Sequence, residues 1–189
     1  GHVQALEGLA RCARLSNAPK KVEQALRDAT RHAPRDWRTW SNLAVFHLEQ
    51  GQDAEAMTTV ETAMGLAPAT EVRPLLIMTK TLLRLGSAGA ALLRADQATK
   101  LAPKNGLGWY LRGRAHFDLN RMTEAEKDFR AAVLTDADLV EARSGIGLVR
   151  AIIGDEKAAR RIFRDVLQRD PDNAAARENL RRLGSPVNP

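Results

Sequence analysis

Trp40-Ser-Asn-Leu-Ala-Val-Phe-His-Leu48, followed by Gly51, Ala56, Val60, Ala63 and Pro68, is the stretch that the rest of the chain copies. The closing prolines measure the period. Pro34, Pro68, Pro103 and Pro171, with Ala137 in the remaining place, are spaced by 34, 35, 34 and 34 residues. A period of this length belongs to one supersecondary unit, and units that touch only their neighbours stack into a solenoid.

Position by position the copies align. One slot holds Leu6, Trp40, Leu75, Trp109 and Arg143, and the slot three residues later holds Leu9, Leu43, Met78, Arg112 and Ile146. A small slot follows with Ala10, Ala44, Thr79, Gly113 and Gly147, where two helices must approach closely. The turn slot holds Asn17, Gly51, Gly86, Asn120 and Gly154, residues that tolerate a left-handed backbone. In the second helix the slots read Val22, Ala56, Ala91, Ala125 and Ala159, then Leu26, Val60, Ala95, Phe129 and Phe163, then Ala29, Ala63, Ala98, Ala132 and Val166.

The pattern W-x2-L-G-x2-Y, then A-x3-F, then P at this period is the tetratricopeptide signature. The chain resembles that family over five copies: 3–36, which is degenerate, 37–71, 72–105, 106–139 and 140–173. The resemblance implies an all-α fold, a right-handed α-solenoid of antiparallel helix pairs. A capping helix is expected over 174–184, with Leu180 and Leu183 covering the last repeat, and a loose tail over 185–189. Arg112 and Arg143 depart from the apolar pattern, as His47 and His116 do in the Tyr slot, and should weaken single repeats without breaking the register. Asp36 and Asp53 are expected N-caps, and Thr123 with Glu126 reads as a capping box. Leu43 is an expected core residue.

Composition agrees with close-packed helices. Hydrophobic residues make up 44% of the chain but aromatic ones only 4%, so Ala and Leu must build the core, whereas a β-sandwich would draw on β-branched and aromatic residues. The formal charge of +6 favours acidic partners without choosing among them. Cys12 is the only cysteine, which excludes an internal disulfide. The run Leu9-Ala10-Arg11-Cys12 has Arg11 where a lipoprotein cleavage site wants a small residue. No apolar run approaches the roughly 20 residues that span a bilayer.

No catalytic constellation is visible. His2, His32, His47 and His116 are far apart, Gly106-Leu107-Gly108 is too short to cradle a phosphate, and no nucleophile, base and orienter converge. We therefore expect no enzyme activity, no cofactor and no metal site. In the family the first helix of each repeat lines a concave groove that takes peptides or helices. Projected onto that face, the expected binding residues are Arg11, Arg38, Asn42, Arg73, Leu76, Lys80, Arg84, Tyr110, Arg114 and Phe117. Arginine can hold a carboxylate bidentately, while the apolar members offer contact area to a side chain.

The expected partner is another protein, presenting an extended peptide or helix of acidic character. Nucleic acid is not the expected partner, and oligomers are compatible with the pattern. The two-carboxylate clamp of chaperone-tail-binding relatives is matched by Asn42 and Arg73 but not by Glu7, Arg11 or Ile77. An asparagine ladder is broken by Gly8, Ile77, Leu111 and Gly145. Two other readings are a recognition or scaffolding arm of a larger enzyme or envelope assembly machine, and a self-assembling scaffold. A soluble bacterial fragment, cytoplasmic or periplasmic, is the expected setting.

Overall fold

The computed structural model describes residues 18–184. The expected helix over 3–15, with Arg11 and Cys12, and the tail over 185–189 lie outside the described residues. Those described form ten α-helices: α1 (Pro19–His32), α2 (Trp37–Glu49), α3 (Asp53–Leu66), α4 (Val72–Arg84), α5 (Ala88–Leu101), α6 (Gly106–Asp118), α7 (Met122–Thr135), α8 (Val140–Ile152), α9 (Glu156–Arg169) and α10 (Ala174–Arg182). The chain divides after Ser87 into two compact units, one holding α1 to α4 and the other α5 to α10. The division falls inside the 72–105 segment that the period assigns to one repeat.

Within each unit every helix packs on the next, and first helices also meet, α2 against α4 and α6 against α8. Short turns enforce this order. Gly51, Gly86, Asn120 and Gly154 adopt φ of 74°, 73°, 59° and 86°. Behind them Gln52 N–H reaches His47 O at 2.9 Å, Ser87 reaches Leu82 at 2.9 Å, Arg121 reaches His116 at 2.8 Å and Asp155 reaches Arg150 at 2.9 Å. These six-to-one bonds satisfy carbonyls that the helix ends would otherwise leave open.

Helix starts are fixed by side chains in part. Asp36 accepts from Arg38 N–H at 3.0 Å, Asn105 from Gly108 at 3.1 Å, Asp155 from Ala158 at 3.1 Å and Asn173 from Ala176 at 2.9 Å. Two expected caps do not form. α3 starts at Asp53, one residue after its N-cap Gln52, and the Asp53 carboxylate is turned to Arg84 at 2.5 Å. α7 begins at Met122 with no side-chain cap, so Thr123 is already inside the helix. Glu126 is drawn away by Arg130 at 2.7 Å and by Arg150. A charge-assisted bond outweighs a neutral capping bond where both compete for one carboxylate.

The core is built from the repeat slots. In the first unit Val22, Ala25, Leu26, Leu43 and Phe46 form one buried cluster. In the second, Ala125, Phe129, Ile146 and Val149 form another, and Ala159, Phe163, Val166, Ala176 and Leu180 a third. Gly113 faces the Phe129 ring and Gly147 the Phe163 ring so closely that a Cβ would lie 2.7 Å and 2.8 Å from them. Leu43 is only 3% exposed. Leu43→Ala is therefore expected to cost about 2–5 kcal/mol in urea unfolding, and a loss too small to measure would be incompatible with this packing.

The two arginines in apolar slots find polar partners within the chain. Trp40 and Trp109 donate their indole N–H to Pro34 O at 2.9 Å and Pro103 O at 2.8 Å, six residues back. Arg143 makes the same bond from Nη2 to Ala137 O at 3.0 Å, and Arg177 of α10 repeats it to Pro171 O. Arg112 instead enters a partly buried ionic cluster. Its Nε and Nη2 hold Asp128 at 2.7 Å and 2.6 Å, Nη1 meets Asp96 at 3.2 Å, and the guanidinium lies 4.5 Å from the centre of the Trp109 ring.

Candidate partner-binding cleft

In the first unit, the expected site residues fall on α2 and α4. Arg38 is exposed, 4.8 Å from the centre of the Trp37 ring and 3.5 Å from Asp36. Arg73 is exposed and donates to Asn42 Oδ1 at 2.6 Å, joining the two helices. Lys80 is exposed, and Arg84 is bound to Asp53. Leu76 is buried together with Leu75, Ile77 and Met78, so its side chain belongs to the interior of α4's surroundings. The apolar crowding of this helix, legible in sequence, thus leads to burial on several sides.

In the second unit Tyr110, Arg114 and Phe117 come together. They line a cleft of about 280 Å³ with Glu141, Ser144, Gly145 and Leu148 of α8, the Phe129 ring, and Asn173 and Ala175 where α10 begins. The spacing 110, 114, 117 on α6 and 141, 144, 148 on α8 is one helical face each, and the touching of α6 and α8 brings the faces together. The Tyr110 ring leans on Phe129 at 6.0 Å between centres. Burial pushes the Tyr110 phenol above its ordinary pKa, so it is a neutral hydrogen-bonding group at working pH. Burial works against the charge of Arg114, but its bond to Asp118 at 3.0 Å and the nearby Tyr110 outweigh this and raise its pKa.

Three of the cations expected to meet a partner's carboxylates are thus already paired within the chain, Arg38 with Asp36, Arg84 with Asp53 and Arg114 with Asp118. Sequence reasoning missed Asn173 and Ala175, the N-cap and second residue of α10, which stand 34 residues after Leu139 and Glu141. The sequence signal that could have found them is the 34-residue period carried on into the expected capping helix. Among the described residues no group of His, Cys, Asp and Glu side chains is arranged to hold a metal, and no helix is long and apolar enough to cross a membrane. His47 is buried with Nδ1 2.6 Å from Gln52 Oε1, and His116 Nε2 lies 3.7 Å from Asp128.

Residues 20–69 and 80–140, together more than half of the chain, match the model of the tetratricopeptide repeat family. The chain belongs to the tetratricopeptide repeat family, and its fold class is the all-α helical solenoid of a protein–protein interaction module. Among solved structures it resembles TTC0263, a thermophilic TPR protein in Thermus thermophilus, with a TM-score of 0.81 and 17% identity over 96% of this chain and 98% of that one. It also resembles MamA from Desulfovibrio magneticus RS-1, with a TM-score of 0.73 and 17% identity over 92% and 97% of the two chains. A third is YrrB, described as a TPR protein with an unusual peptide-binding site, with a TM-score of 0.64 and 16% identity over 88% and 86%. Comparison with curated protein sequences returns no match.

Proposed function

We propose that this protein is a non-catalytic interaction module that captures an extended peptide or a helix of another protein on the face made by its first helices. The observation that carries the reading is the cleft between α6 and α8. Tyr110, Phe117 and Leu148 give it an apolar wall, and Arg114, Glu141 and Ser144 give it a polar rim. Its volume of about 280 Å³ suits one aliphatic or aromatic side chain of a partner and lies below the usual range for a small-molecule pocket. In the first unit, exposed Arg38, Arg73 and Lys80 favour acidic residues in the partner's sequence.

Selection of displayed random peptides on the immobilised protein tests this. Sequences selected by the cleft should share an aliphatic or aromatic residue, and those selected by the first unit should be acidic. Ser144→Arg, which fills the cleft, should weaken the former at least about tenfold, equivalent to about 1.4 kcal/mol. Arg73→Glu with Lys80→Glu should remove the preference for acidic residues. Peptides of the former kind that bind Ser144→Arg as tightly as the parent protein would show that the cleft is not where they sit.

A further inference from the structure

Most arginines of the described residues are satisfied within the chain, by carboxylates, by backbone carbonyls or by amide side chains. Unpaired charges are therefore informative, and on α3 and α9 they are of opposite sign. α3 is the only helix among the described residues that carries acidic side chains and no basic one. Of its three acids Asp53 is bound to Arg84, whereas Glu55 and Glu61 are exposed and have no ion-pair partner among the described residues. Around them the outer surface of α3 is smooth, made of Ala54, Thr58, Thr62 and Gly65, and it ends on the partly exposed Leu66.

α9 is the opposite. Arg160 and Arg169 are paired with Glu156 and Asp165, but Lys157, Arg161 and Arg164 are exposed and unpaired among the described residues. Their spacing of four and three residues places them on one stripe. Beside the stripe lies a cleft of about 520 Å³ floored by Val133, Ile146 and Ile162, with Leu134 at its edge, 87% exposed. Arg161 of the stripe lines this cleft together with Arg130, Arg143 and Asp165, and an aliphatic side chain this open beside it marks a surface suited to an acidic, partly apolar partner.

We propose that α9 and its cleft in one copy of this chain dock α3 of a second copy. The charges are opposite in sign, with Glu55 and Glu61 at the two borders of the exposed face of α3. At 1.5 Å per residue Glu55 and Glu61 are roughly 9 Å apart along α3, and Lys157 and Arg164 roughly 10 Å apart along α9. The small residues of α3 allow close approach, and Leu66 supplies the apolar group for the cleft edged by Leu134. The contact is heterologous, because the two patches differ, so each copy keeps one free donor and one free acceptor surface. The pairing uses neither Tyr110 nor the α6–α8 cleft, so it stands apart from partner capture there.

Sedimentation velocity of the full 189-residue chain provides the test. At about 0.05 M salt the protein should form concentration-dependent larger species, and at about 0.5 M salt, where screening is nearly complete over the contact, they should dissociate. Glu55→Arg with Glu61→Arg should abolish the larger species at low salt, and so should Arg161→Glu with Arg164→Glu. An equimolar mixture of the two variants should restore them, because each reversed patch then meets a complementary patch on the other variant. Restoration also distinguishes lost docking from lost folding, which far-ultraviolet circular dichroism checks independently. A parent chain that stays monomeric at low salt overturns the proposal, as does association that persists in both variants or fails to return in their mixture.

Discussion

Arg112→Leu is expected to destabilise the protein by about 3–5 kcal/mol, even though leucine is the residue the repeat pattern calls for at that slot. The reason is Asp128. Its side chain is 3% exposed and is held by two bonds from Arg112, of 2.6 and 2.7 Å. Those bonds raise the pKa of Arg112 still further, so its positive charge is fixed. Leucine would leave a buried carboxylate with only the imidazole of His116 at 3.7 Å for company. Replacing both partners, Arg112→Leu with Asp128→Leu, removes the stranded charge as well, and the double variant is expected to unfold within about 1 kcal/mol of the parent or above it. Urea titration of the four proteins of this cycle decides the matter. A single leucine variant as stable as the parent would mean that Asp128 is not held as the geometry indicates.

Phe129→Ala is expected to cost about 3–5 kcal/mol, among the largest effects of any apolar truncation in the second unit. The ring is 1% exposed and lies between α6 and α8, against two glycines. A Cβ on Gly113 would lie 2.7 Å from one edge of the ring, and a Cβ on Gly145 2.7 Å from the other. Neither glycine has a side chain that could fall into the space, so the void would persist. The same clamp predicts the reverse experiment. Gly145→Ala cannot be relieved by shifting the ring, because the shift drives it into the Gly113 backbone, and overpacking of this kind costs about 1–3 kcal/mol. Thermal unfolding of both variants tests the pair, and an unperturbed Gly145→Ala would show that the ring has room to move.

Turn positions and second-helix alanines are readable from the sequence because each has a single physical requirement. Asn120 and the glycines at 51, 86 and 154 all carry positive φ, and Ala56, Ala63, Ala91 and Ala125 are fully buried where two helices approach. Arg112 and Arg143 escape the pattern because apolarity is only one way to fill their slots. An arginine can enter a core when carboxylates elsewhere in the chain meet it, and Asp96 and Asp128 lie sixteen residues away on either side. Thr123 and Glu126 mislead for a related reason. Local spacing reveals a possible cap, but not Arg150, 24 residues on, which competes for the same carboxylate. At the candidate site the helical faces are legible and the burial of Leu76 is not, since periodicity reports a direction and not what lies in that direction.

The bond from Trp40, Trp109, Arg143 and Arg177 to the carbonyl six residues earlier changes what a repeat means as a unit of inheritance. The slot behaves as a synonymous code: indole and guanidinium are different words for one instruction, a long donor that ties the start of a helix to the turn before it. By that grammar α10 is written as a first helix, with Asn173 as its cap, Arg177 as its donor, Leu180 buried three residues later and Gly184 closing it at φ 68°. It is cut to nine residues where α2, α6 and α8 each have thirteen. A search that scores the donor rather than the tryptophan would find such shortened copies in chains where aromatic spelling has been lost.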